Sequence, residues 1–292
     1  MKTITIISGK GGVGKSSIAA SLGITLSRKY KIILADCDVD ASNLALVFGK
    51  KKKDFIKWED ISTNQKAVFD LDKCDSCKKC FNACNFHAID WIDNKPKLKN
   101  LSCEGCGIAD VICSQDAIRL EDINNAKIGY VDTKYNFNIV SSQLNAGESG
   151  SGKLVAEVKE RARKIAKDSE IMLVDSAAGI GCPVIASITG SDYCVVVVEP
   201  TPSSMLDMKR AVEIVKYFNI SFGIIINKFD LNKSYCERIE KYAENNDVEI
   251  LGQLPYNIIY TEALVEMVPV IEKDSKQENI FNKIFEKLIC DL

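Results

Sequence analysis

Apolar, β-branched runs recur along this chain at 3–7, 31–35, 138–141, 171–174, 193–198, 222–226 and 248–251. Several are apolar at consecutive positions, which predicts strands covered on both faces of a parallel sheet. Stretches with helical spacing fill the gaps, at 16–28, 153–166, 203–217, 233–244 and 277–289. Strands alternating with helices of this length predict a doubly wound α/β fold with a mainly parallel sheet. The rhythm breaks once. From 67 to 123 the long periodic elements vanish and short cysteine-bearing segments replace them. This predicts a small domain at 67–123 inserted into a larger one made of 1–66 and 124–292. Inside the break lies a weak repeat: Cys74-Asp-Ser-Cys77 and Cys103-Glu-Gly-Cys106 both lead, after a further cysteine, to Ala-Ile, at Ala88-Ile89 and Ala117-Ile118. Two half-repeats of that size predict a pseudo-symmetric unit.

Composition changes the picture in one respect. The 292 residues are 46% hydrophobic and 27% charged, with 38 basic against 40 acidic side chains. That balance excludes a disordered chain and gives bulk charge no role in nucleic-acid binding. No run approaches about 18 uninterrupted apolar residues, and MKTITIISGKGG reads as a strand entering glycines, not as a signal peptide. The expectation is a cytoplasmic protein that engages neither membrane nor nucleic acid, with Lys50–Lys53 as a solvated loop. Cysteine is the exception: seven of the 12 lie between Cys74 and Cys113. In a reducing compartment such a cluster points to metal ligation before disulfides.

The first chemical motif is Gly9-Lys10-Gly11-Gly12-Val13-Gly14-Lys15-Ser16, a phosphate-binding loop between a predicted strand and a predicted helix. Its glycines let backbone N–H groups from Gly9 through Ser17 face phosphate oxygens, and the helix N-terminus adds positive potential. Lys15 is expected on the β- and γ-phosphates and Ser16 on Mg²⁺. Acids follow two strands: Asp36, Asp38 and Asp40 after 31–35, and Asp175 after 171–174. Ile226-Asn227-Lys228-Phe229-Asp230 matches N-K-x-D, which specifies guanine in regulatory GTPases. Gly147–Lys153 (GESGSGK) imitates a second phosphate loop, but Leu154 stands where the magnesium ligand would be, so a switch-adjacent loop is expected.

With Lys10 as a second lysine in K-G-G-x-G-K-[ST], the chain resembles the MinD/ParA/Mrp and nitrogenase iron protein superfamily. The resemblance implies that Lys10 reaches across a homodimer interface to the partner's ATP. It implies that Asp38, with Asp40 as its nearest competitor, activates the attacking water. Asp175 would act on Mg²⁺ through water, with Gly179 as the hinge of the second switch. Asn227 would contact adenine, so the nucleotide is ATP, and Pro255 in Gly252-Gln253-Leu254-Pro255-Tyr256 would flank the base.

Cys74-x₂-Cys77-x₂-Cys80-x₃-Cys84 is the bacterial ferredoxin run, in which the fourth cysteine serves the other cluster. Paired C-x₂-C also builds zinc sites, but cysteines at +6 and +10 favour a [4Fe–4S] cluster. Exchange of fourth ligands gives one complete set, Cys74, Cys77, Cys80 and Cys113. The second set, Cys84, Cys103 and Cys106, has only three thiols because Ala109 occupies the third-ligand place. That cluster is expected to be absent, [3Fe–4S], or [4Fe–4S] with a non-cysteine ligand such as Asp110 or water. His87 is expected at the cluster rim. Cys182, past the second switch, is expected to be a buried structural thiol, and Cys37, Cys194, Cys236 and Cys290 small core residues. The C-terminal stripe of Ile280, Phe281, Ile284, Phe285, Leu288 and Ile289 is expected to dock on the protein's own core.

The combination resembles MinD-superfamily ATPases that carry an inserted ferredoxin domain. It implies an ATPase whose nucleotide-driven dimer motion gates electron transfer to a redox partner. The alternative is an Mrp-like carrier that hands clusters to apo-proteins. Spatial positioning of the MinD/ParA kind leaves the clustered cysteines unexplained.

Overall fold

The computed structural model describes residues 1–148, 150–290 and 292. In chain order its elements are β1 (Lys2–Ser8), α1 (Lys15–Ser27), β2 (Ile32–Cys37), α2 (Leu44–Val47), β3 (Lys57–Phe69), α3 (Lys79–Ala83), β4 (Ile89–Ile92), β5 (Lys95–Leu98), α4 (Ile108–Val111), β6 (Ile118–Asp132) and β7 (Asn138–Leu144). There follow α5 (Gly152–Ile165), β8 (Ile171–Ala178), α6 (Cys182–Ile188), β9 (Tyr193–Val198), α7 (Pro202–Tyr217), β10 (Ser221–Asn227), α8 (Lys233–Asn245), β11 (Ile250–Leu254), α9 (Ile259–Glu266), α10 (Val270–Lys273) and α11 (Ser275–Cys290).

Among the described residues the main sheet has the order β11-β10-β9-β1-β8-β2-β7-β6-β3. Every pairing from β11 across to β7 is parallel. The apolar runs fall on these strands because both faces are covered. Val195 and Val197 of β9 join a core with α1 and α11, whereas Cys194, Val196 and Val198 join another with α6, α7 and α8. The doubly wound reading therefore holds. The stripe on α11 also docks as expected: Phe281, Ile284, Phe285 and Leu288 are buried in the first core. Among the described residues, no helix is long and apolar enough to cross a membrane.

The chain divides into two compact units. The larger comprises Met1–Trp58, Ile128–Gln143 and Gly150–Leu292; the smaller comprises Glu59–Lys127 and Leu144–Ser149. The boundaries fall inside β3 and β6, two long strands that the periodicity of the sequence does not announce. β3 mixes polar and apolar residues, and few of its side chains are buried. The smaller unit also holds the β4–β5 hairpin and the short helices α3 and α4.

Candidate functional site

The phosphate loop leaves β1 at Ser8 and enters α1 at Lys15. Gly12 (φ +80°) and Gly14 (φ +91°) take left-handed backbone that side chains resist. Space is limiting as well: a Cβ on Gly14 would lie 2.4 Å from Asn227 Nδ2. The reason is that Asn227, at the end of β10, donates its amide to the Val13 carbonyl at 2.8 Å. Asn227 is buried, and its amide pins the loop from behind. Ser16 and Ser17 lie in the first turn of α1.

Parallel pairing of β2 with β8 sets Asp36 beside Asp175. Lys15 Nζ donates to Asp175 Oδ1 at 2.6 Å, with side chains 6% and 1% exposed. Burial alone would lower the Lys15 pKa; the carboxylates of Asp175, Asp38 and Asp36 outweigh it and hold the ammonium above its ordinary value. Burial raises Asp36 to about 8, Asp175 adds to the rise, and the Leu44 N–H opposes it. Asp36 accepts from Leu44 N at 3.1 Å and Ser141 Oγ at 3.2 Å, so it fastens the turn after β2. In the sequence Asp36 is one of three acids, without a role of its own, because nothing local distinguishes it from Asp38 and Asp40. Asp38 is also raised, first by burial, with Lys15 opposing and Asp175 reinforcing. Asp40 is exposed and accepts the Gly150 N–H at 2.9 Å, which takes it away from Lys15. Among the described residues, Asp175 Oδ2, Ser142 Oγ and Ser176 Oγ are buried without a hydrogen-bond partner.

Lys10 turns back on its own chain, 3.5 Å from Glu199 Oε1 and 3.2 Å from Ser203 Oγ. Lys228 holds the other oxygen of Glu199 at 3.1 Å. Glu199 is a second residue missed in the sequence; its importance comes only from two lysines brought together by distant loops. Asp230 is engaged by the Tyr256 N–H at 2.7 Å, which ties it to the turn after Pro255. Gly179 (φ +101°) begins the turn into α6. There Cys182 is exposed, and the expectation of a buried thiol is corrected: it is the first residue of a helix that starts on the surface. Cys290 is likewise exposed at the end of α11, not in the core, whereas Cys37, Cys194 and Cys236 are buried. In the Gly147–Lys153 loop, Ser149 lies outside the described residues, as does Asp291. Ser151 caps α5 by accepting from Leu154 N, and Leu154 is buried.

The seven clustered cysteines line two cavities in the smaller unit. One, of about 350 Å³ with its mouth, is lined by Cys74, Cys77, Cys80 and Cys113. The other, of about 380 Å³, is lined by Cys84, Cys103 and Cys106, with Ala109 and Asp110. The half-repeat is visible in the backbone: Ala88 N donates to Cys84 Sγ and Ala117 N to Cys113 Sγ, each at 3.3 Å. His87 (φ +49°) and Asp116 (φ +46°) take the matching left-handed turns, and His87 is exposed. Burial raises the Cys80 thiol pKa, with Cys74, Cys77 and Cys113 adding to the rise. Among the described residues, no three His, Cys, Asp or Glu side chains converge as a single metal ion requires.

A glycine loop at a helix N-terminus, backed by a buried lysine–aspartate pair on a parallel sheet, defines a P-loop nucleoside triphosphatase. Residues 4–270 match the profile of the CobQ/CobB/MinD/ParA nucleotide-binding domain, and the chain belongs to that family as a MinD/ParA-type P-loop ATPase. It is 33% identical to an uncharacterized protein of Methanocaldococcus jannaschii over 98% of this chain and 95% of that one. An iron-sulfur cluster carrier protein of the same organism is 29% identical over 41% of this chain and 46% of its own length. Septum site-determining protein MinD of Pyrococcus horikoshii, solved with Mg-ADP, shares the fold at a TM-score of 0.60 and 18% identity, covering 98% of this chain and 95% of that one.

Proposed function

We propose that this ATPase binds ATP and Mg²⁺ as a homodimer and couples its nucleotide cycle to electron transfer through iron–sulfur clusters held in the smaller unit. The observation that carries the proposal is the coexistence, in one chain, of a complete phosphate site and two cysteine-lined cavities.

Lys15 is the pivot of the nucleotide site. It is already charged and buried against Asp175, so incoming phosphates exchange one anionic partner for another without desolvating the lysine anew. Asp175 Oδ2 is buried and unpartnered, which suits a residue that meets Mg²⁺ through water, with Ser16 as the direct ligand. Mg²⁺, when bound, neutralises charge developing on the phosphates. Asp38 has its pKa raised by burial, in the direction that makes a carboxylate a better proton acceptor, and it orients the attacking water. The base is adenine, because Asp230, the guanine reader of an N-K-x-D motif, already serves the Tyr256 backbone. Asn227 supports the loop from behind, and Pro255 flanks the base. Lys10 leaves Glu199 to reach the partner's nucleotide.

In the smaller unit, two thiol-lined cavities with backbone N–H groups on cysteine sulfurs fit iron–sulfur clusters, which take thiolates around a volume and not around a point. The Cys74, Cys77, Cys80 and Cys113 set offers four thiolates to a [4Fe–4S] cluster. Such clusters supply one-electron chemistry. A ligand that binds two conformations unequally shifts their populations, and hydrolysis gives the cycle direction.

A carrier that delivers clusters to apo-proteins is the second reading, favoured by the likeness to the iron-sulfur cluster carrier protein over 133 residues. A redox titration followed by EPR, on anaerobically reconstituted protein with and without MgATP, separates the two. A nucleotide-dependent shift in midpoint or lineshape, absent in Lys15→Ala, is expected. Unchanged clusters with transfer to an apo-ferredoxin would replace electron transfer with the carrier reading.

A further inference from the structure

The two halves of the smaller unit match position by position, so the places where they differ are informative. Cys80 and Ala109 occupy equivalent places in the first turns of α3 and α4, and each is 8% exposed in the same small core. A methyl group thus stands where its counterpart presents a thiol. Loss of a side chain usually invites the surroundings to close in. They have not: Cys84, Cys103 and Cys106 still line a cavity beside Ala109, as Cys74, Cys77, Cys80 and Cys113 line theirs. The rims also differ in a consistent way. Where Lys79 and Gln115 border the four-thiol cavity, the equivalent residues Ile108 and Phe86 border the three-thiol cavity, 40% and 49% exposed. Its other exposed lining includes Glu104 and Asp110 and no basic side chain.

Resting on the reading that these cavities hold clusters, we infer that the Cys84, Cys103 and Cys106 cavity binds a cluster with one iron left without a protein ligand. That iron takes a cysteine thiolate from a partner polypeptide. Three thiolates leave one coordination position open; the rim selects what reaches it. Ile108 and Phe86 offer apolar contact, and Glu104 and Asp110 favour basic flanks, so the occupant is a cysteine between apolar and basic residues. The four-thiol cavity, complete and rimmed by lysines, retains its own cluster.

The test uses the full chain reconstituted anaerobically with ⁵⁷Fe. Mössbauer spectra should show one iron per chain distinct from the rest, which shifts on addition of 2-mercaptoethanol or of a short cysteine peptide with apolar and basic flanks. Mild oxidation should release one iron per chain and produce a three-iron EPR signal. Ala109→Cys should abolish the distinct iron, the thiol response and the iron loss. Phe86→Ser with Ile108→Ser should weaken the peptide on the order of tenfold while leaving 2-mercaptoethanol unchanged. The inference is overturned if only the four-thiol set takes up iron, if Ala109→Cys changes nothing, or if Asp110→Ala or Glu104→Ala creates the thiol response that the wild type lacks. Equal weakening of both thiols would remove the rim's role. Absence of iron from both sets would instead overturn the cluster reading itself.

Discussion

The two units bury their interiors in different ways. In the ATPase unit, strands that are apolar at successive positions feed two cores, and side chains such as Ile6, Leu34 and Ile225 are fully enclosed. In the cysteine unit one buried cluster consists of Ala67, Cys80, Ile89, Ala109 and Ile118, with Cys84, Cys103 and Cys113 packed against it. Two of those five positions are third-ligand places. One unit is built around hydrocarbon, the other around cavities walled by thiols. The comparison teaches that the first is held by hydrophobic burial, whereas the second has little apolar interior of its own, so that clusters held as proposed would add to its stability.

If the cysteine unit holds the proposed clusters, removal of iron should produce the largest effect. The cysteine unit should lose its cooperative unfolding transition and become cleavable by protease within 59–127, while the ATPase unit keeps its transition. Equal stability of iron-free and loaded protein would erase the contrast between the units. Next comes Lys15→Ala, which leaves Asp175 buried and unpaired: about 3–5 kcal/mol of stability should be lost in denaturant titrations of the nucleotide-free protein, together with ATP binding. The cysteine unit's transition should not move.

A smaller effect comes from Asp36. Its pKa is raised on folding, so its contribution to stability is complete below the ordinary carboxylate range and is lost as pH rises through about 8. Asp38 is raised as well and acts in the same direction. The nucleotide-free ATPase unit should therefore weaken over that window, and Asp36→Asn should flatten the profile. An unchanged slope in the variant would show that Asp36 does not govern it. The smallest change is Thr201→Ala, which removes the cap on α7, where the hydroxyl accepts the Ser204 N–H at 3.3 Å; it should cost about 1 kcal/mol, seen only in the ATPase unit's thermal transition.

Legibility in the sequence followed the range of the interactions involved. The glycine loop, the parallel strands and the spacing of Cys74, Cys77, Cys80 and Cys84 are local, so period and motif disclosed them. β3 and β6 escaped because their residues are half-exposed and polar, and pairing rather than hydrophobic period makes them strands. Cys182 was placed inside and lies outside, since a helix start on the surface cannot be inferred from its own residues.

By itself the sequence determined a P-loop ATPase of doubly wound architecture and a cysteine segment whose second half lacks one thiol. Those features rest on residue type and spacing, and both survive translation along the chain. Only the tertiary structure decided that Asp36 is the buried, raised carboxyl and Asp40 the exposed one, and that Glu199 holds Lys10 and Lys228 together. Burial and charge proximity depend on which strands pair and which loops meet, and that is fixed by packing between residues far apart in the chain.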